Sequence, residues 1–127
     1  MKTIRILVAD DDRSNCALIS KFLKRHGYIV DVAYDGAAAL KLIEQNQYAM
    51  AVLDYQMPEC DGIEVYKRSR EVRPEMPGIF LTSFTTLDTV YPAITAGVER
   101  VLAKPVQLDE LQVLVERLAG RPESSHA

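Results

Sequence analysis

The chain has 127 residues, 48% hydrophobic and 26% charged, with no tryptophan and a net charge of −3 at pH 7. That length suits one domain, able to bury about two-thirds of its unfolded surface, and the composition excludes disordered and fibrous classes. The acidic balance leaves no basic field to attract nucleic acid.

Short aliphatic runs alternate with helical patterns from end to end. Residues 4–9 (IRILVA), 28–33 (YIVDVA), 48–54 (YAMAVLD), 78–83 (GIFLTS) and 100–105 (RVLAKP) read as strands. The first, third and fourth are nearly continuous in apolar residues, as expected where both sheet faces are covered. Between the first two, 13–26 predicts a helix with Leu18, Ile19, Phe22 and Leu23 on one face, Asp12 as N-cap and Gly27 as the C′ stop. His26, just before that glycine, suits the negative end of the helix dipole.

A second helix over 36–46 carries Leu40 and Ile43 inward behind an N-cap at Asp35, and a third over 61–72 turns Val65, Tyr66, Ser69 and Val72 inward. The basic residues Lys67, Arg68, Arg70 and Arg73 then form a solvated face. The fourth helix, about 88–96, contains Pro92, which a helix tolerates only in its first turn. A short helix that starts late, with Asp88 as N-cap, follows. The fifth, 107–118, has the strongest stripe: Leu108, Leu111, Leu114, Val115 and Leu118. The polar end 120–127 (GRPESSHA) reads as a disordered tail or linker remnant after a domain over 1–119.

Strict alternation of five strands and five helices implies an α/β fold, with a parallel sheet, helices on both faces and right-handed crossovers. Two cysteines 44 positions apart, Cys16 and Cys60, argue against a disulfide framework or a zinc site and fit a reducing compartment. The apolar run after the N-terminus is too short for a signal peptide, and no stretch approaches the ~18–20 apolar residues of a membrane span. The expected location is cytoplasmic.

In parallel sheets, ligands bind beyond the carboxyl ends of strands where the strand order reverses. Strand one delivers Asp10 and Asp11 to that edge, strand three Asp54, strand four Thr82 and Ser83, and strand five Lys104. Like charges about 4 Å apart repel by ~1 kcal/mol in water and ~4 kcal/mol at a protein-like dielectric. A hard divalent cation offsets that repulsion, and Mg²⁺ suits one or two carboxylates plus a phosphate.

The segments ILVADDD, LDYQMPECDG, LTS and LAKP together resemble the receiver domains of two-component response regulators, over about 1–119. The resemblance implies a flavodoxin-like (βα)5 fold with strand order 2-1-3-4-5. It implies phosphorylation of Asp54, an acidic pocket of Asp10 and Asp11, and Mg²⁺ held by Asp11, Asp54 and the backbone carbonyl of Gln56. Thr82, Ser83 and Lys104 would contact the phosphoryl group, and the Lys104–Pro105 peptide would be cis. Gln56 and Phe84 occupy positions that tune hydrolysis in the family, and Phe84 is expected to hinder water. Val101 stands where receivers commonly carry a switch aromatic, so that half of the switch is missing.

The implied partners are a sensor histidine kinase or histidine phosphotransfer protein and a downstream protein or output domain, with at most a weak homodimer. Neither nucleic acid nor a membrane is an expected direct partner. Two rival readings are weighed. In one, a degenerate receiver binds partners without phosphorylation. In the other, a haloacid-dehalogenase-type phosphatase uses Asp10-x-Asp12 as its D-x-D motif, with the nucleophile on strand one.

Overall fold

The computed structural model describes residues 3–57, 61–83 and 87–122, the side chains of 87–91 excepted. Its elements run β1 Arg5–Ala9, α1 Arg13–Arg25, β2 Ile29–Ala33, α2 Gly36–Gln45, β3 Met50–Asp54, α3 Gly62–Val72, β4 Gly78–Thr82, α4 Leu87–Ala96, β5 Arg100–Ala103 and α5 Leu108–Ala119. All strand pairs are parallel, in the order β2-β1-β3-β4-β5. The chain therefore starts in the middle of the sheet, and the order reverses between β1 and β3.

Strand side chains alternate between faces, and this splits the core in two. Ile6, Val8, Val52, Ile79 and Leu81 pack against Cys16, Ile19 and Leu23 of α1 and Leu111, Leu114 and Val115 of α5. Leu7, Ala9, Leu53 and Phe80 pack on the other face against Ala39 and Ile43 of α2, Val65 and Tyr66 of α3 and Ala93 of α4. Strands buried on both faces need the continuous apolar runs seen in the sequence.

The helix ends follow their capping residues. Asp12 accepts from the Ser14 and Asn15 N–H groups at 3.0 and 3.2 Å, and Asp35 accepts from that of Ala38 at 2.8 Å. Gly27, at φ +93°, closes α1 by donating to the Lys24 carbonyl while the Tyr28 N–H reaches the Leu23 carbonyl. This double closure needs the left-handed region that glycine enters freely. The His26 ring N–H at Nδ1 donates to the Phe22 carbonyl at 2.9 Å, a capping role at that helix end.

Several sequence expectations need correction. Leu18 is 50% exposed and Val72 41%; the buried face of α1 is instead Cys16, Ile19, Ser20 and Leu23. Arg70 and Arg73 are not simply solvated. Arg70 lies over the Tyr66 ring and donates to its hydroxyl at 2.6 Å, and Arg73 donates to the Asn46 carbonyl at 3.3 Å.

The fourth helix does not start late. It begins at Leu87, is as long as α2 at ten residues, and holds Asp88 inside it and Pro92 in its second turn. Pro92 removes the N–H that would bond the carbonyl of residue 88. Ala93, the next residue, is buried in the core on this face of the sheet, and tertiary packing of a helix routinely overrides local propensity. The expected tail is also partly tied down: the Tyr28 hydroxyl donates to the Gly120 carbonyl at 2.6 Å, and Arg121 pairs with Glu116 at 3.1 Å. Residues 123–127 lie outside the described residues.

Candidate functional site

The central strands end where the order reverses, and the polar residues gather there. Asp10 follows β1 directly, with its N–H on the Ala33 carbonyl at 3.0 Å. Asp54 is the last residue of β3 and Thr82 the last of β4. The Lys104 N–H donates to the Thr82 carbonyl at 2.8 Å, which seats the lysine beside that strand end, and the Lys104–Pro105 peptide is cis. Asp10, Asp54 and Thr82 are 0%, 5% and 3% exposed, whereas Asp11 and Ser83 are exposed.

These side chains meet. The Lys104 ammonium lies 3.1 Å from Asp10 Oδ2 and 3.3 Å from Asp54 Oδ2. Carboxylate oxygens of Asp10, Asp11 and Asp54 all lie within 4.8 Å of one another, an arrangement that can hold a cation. The Gln56 N–H is 3.4 Å from Asp54 Oδ1, a long contact. Val101 is half-buried on the α2–α3–α4 face, in register with Phe80 of β4. Phe84, Cys60 and His126 lie outside the described residues.

The two buried acids have pKa values displaced in opposite directions. Burial would raise Asp10, but the Asp12 N–H, the Asn15 amide, Asp54 and Lys104 outweigh it and hold the carboxyl below its usual value. Burial, then the hydrogen bond and charge of Asp10, push Asp54 up to about 7; Lys104 and the Gln56 N–H only partly counter this. Lys104 is itself raised: burial alone would lower it, but the Asp10 hydrogen bond and the Asp54 charge prevail. Without a divalent cation the three groups Lys104, Asp10 and Asp54 thus stand as one firm ammonium, one firm carboxylate and one carboxyl poised near neutrality.

Asp12 belongs to the helix, not to this cluster, because its carboxylate caps α1. That removes the second acid of the D-x-D motif. Cys16 is buried, its thiol donates to the Asp10 carbonyl at 3.2 Å, and burial pushes it up to about 12, so it acts as core rather than as a reactive thiol.

Two residues escaped the sequence reading. Asn15 donates to Asp10 Oδ2 at 2.6 Å. The signal for it was available: with Asp12 as N-cap, Asn15 is N3, whose side chain typically reaches back over the helix start. Gly62, the first residue of α3, sits so close behind the site that a Cβ would fall 2.5 Å from the Asp54 carbonyl oxygen.

A family model for the response regulator receiver domain matches residues 6–116. The transcriptional regulatory protein ZraR of Salmonella typhimurium is 35% identical over 114 residues, covering 90% of this chain and 26% of that protein. The response regulator MprA of a Mycobacterium species is 36% identical over 118 residues, 93% of this chain and 51% of that protein. The chain therefore spans between about a quarter and a half of these curated relatives. Among solved structures, the Francisella response regulator 1452 receiver domain superposes with a TM-score of 0.85 at 34% identity, covering 91% of this chain and 96% of that one. With a family match over most of its length, in the fold and strand order of those relatives, the chain belongs to the response regulator receiver domains of two-component signalling.

Proposed function

We propose that this receiver takes a phosphoryl group on Asp54 from a histidine kinase, a histidine phosphotransfer protein or a small phosphodonor. The observation that carries the reading is the buried Asp54 carboxylate in contact with Lys104 and flanked by Asp10 and Asp11. An Asp54 oxygen forms the new O–P bond in line as the bond from phosphorus to the donor breaks, and the donor leaves with the bonding electron pair. Phosphoryl transfer asks a protein mainly for position and charge. Lys104 supplies an ammonium to one peripheral phosphoryl oxygen, and the hydroxyls of Thr82 and Ser83, at the end of β4, serve another.

The all-oxygen donor set of Asp10, Asp11 and Asp54 fits Mg²⁺, with the Gln56 carbonyl as a further ligand. When bound, Mg²⁺ neutralises phosphate charge and keeps Asp54 ionised. In this reading Gln56 and Phe84 tune hydrolysis, and Val101 leaves the output to Thr82 without an aromatic partner. The signalling unit is 1–119, a boundary supported by the family match over 6–116 and the end of α5 at Ala119. The protein acts in a reducing, cytoplasmic setting on a downstream protein or output domain.

Incubation with acetyl phosphate and Mg²⁺, followed by intact mass measurement, tests this. One added phosphoryl group is expected in the parent, and none in Asp54→Asn or in chelator. If no adduct forms and beryllofluoride leaves the NMR spectrum unchanged, the phosphorylation-independent reading replaces it.

A further inference from the structure

Asp10 is fully buried, so water does not complete its hydrogen bonding. Oδ1 accepts from the Asp12 N–H at 2.9 Å. Oδ2 is shared by two donors, the Asn15 amide at 2.6 Å and the Lys104 ammonium at 3.1 Å. These donors differ in their commitments. Asn15 sits in the first turn of α1, its own N–H fixed to the Asp12 cap at 3.2 Å. Lys104 also reaches Asp54 at 3.3 Å and, on the function proposed above, turns to a phosphoryl oxygen.

Were Lys104 the sole donor to Oδ2, its departure would strand a buried carboxylate oxygen, which is strongly disfavoured. The amide removes that penalty. It is also neutral, so it satisfies Asp10 without cancelling the negative charge that would draw a divalent cation. A lysine or arginine in its place would fill the site with its own charge.

We propose that Asn15 is a positioning residue that secures the Asp10 carboxylate and so releases Lys104 to the phosphoryl group. This rests on Asp54 being the acceptor. Asn15 acts through the oxygen of Asp10 that it shares with Lys104.

The test compares the full chain with Asn15→Ala and Asn15→Gln in two assays. The first is the rate of phosphorylation by acetyl phosphate at saturating Mg²⁺. The second is competitive amine labelling of Lys104 in metal-free protein, referenced to the exposed Lys41. Asn15→Ala should be phosphorylated about tenfold more slowly, the consequence of stranding one buried acceptor. Asn15→Gln, which keeps the amide, should recover most of the rate. In metal-free Asn15→Ala, Lys104 should be labelled several-fold more slowly, because Asp10 Oδ2 loses its amide donor and draws the ammonium more tightly. A parent-like rate in Asn15→Ala, or unchanged Lys104 labelling, overturns the proposal. So does an Asn15→Gln variant as slow as Asn15→Ala when both unfold at the parent's urea midpoint. If the parent itself is not phosphorylated, the reading of Asp54 fails, and the metal-free labelling still decides the role of Asn15.

Discussion

Replacing Asp54 with asparagine probes the electrostatics of the site with almost no change in shape. Asp54 is 5% exposed, and its pKa is raised from 3.8 to about 7 by burial and then by Asp10. At 1.36 kcal/mol per pH unit, that rise destabilises the folded state by about 4 kcal/mol once the carboxyl is ionised. An asparagine amide still needs partners in the same buried place, so the expected gain is about 2–4 kcal/mol for metal-free protein above neutral pH. The folded-state pKa lies above the unfolded one. Asp54's contribution to the parent's stability is therefore fully present below about pH 4 and is lost as the pH rises to about 7. The advantage of Asp54→Asn should be small near the lower limit, grow through that window and then level off. Asp10, lowered by its own donors, is present in both proteins and titrates below the window. Urea unfolding in chelator at a series of pH values measures the gain as a midpoint shift at constant slope. Saturating Mg²⁺ should narrow the gap by stabilising the parent more than the variant. An Asn variant no more stable than the parent above neutral pH, or a gain flat across the window, refutes the assignment of burial and Asp10 as the source of the shift.

Three further substitutions test the surroundings. Gly62→Ala places a Cβ against the Asp54 carbonyl oxygen; it should destabilise the fold by about 1–3 kcal/mol and slow phosphorylation, and parent-like values in both assays would refute the close approach. Phe84→Ala should speed dephosphorylation of the phosphorylated protein, and an unchanged rate would remove Phe84 as a barrier to water. Pro92→Ala restores a helix N–H in α4; the propensity gain of up to ~3 kcal/mol, reduced by a more flexible unfolded chain and lost ring packing, should leave about 1 kcal/mol of added stability. A lower urea midpoint would show that the half-buried proline ring matters more than the missing bond.

The local features were legible because their causes are local. Asp12 and Asp35 cap where a short acid precedes a helical pattern, and Gly27 stops α1 because φ > 0 suits it. The faces of the helices were less legible. In α1 the sequence offers two neighbouring apolar stripes, and a small rotation about the helix axis decides whether Leu18 or Cys16 and Ser20 turn inward. Packing on the sheet makes that choice. Pro92 misled for a related reason, since its local penalty was visible and the packing of the helix on the sheet was not.

The candidate site divides along the same line. Residue order alone placed Asp10, Asp11, Asp54, Thr82 and Lys104 at the ends of strands, because a parallel sheet with regular crossovers sends every carboxyl end to one edge. Only the tertiary structure decided that Lys104 spans Asp10 and Asp54, that Asn15 shares an oxygen with it, and that the two buried acids shift in opposite directions. Those facts depend on distances of a few ångströms between segments far apart in the chain, and on how much water each carboxylate has lost. A sequence names the charges; burial and contact set what each is worth.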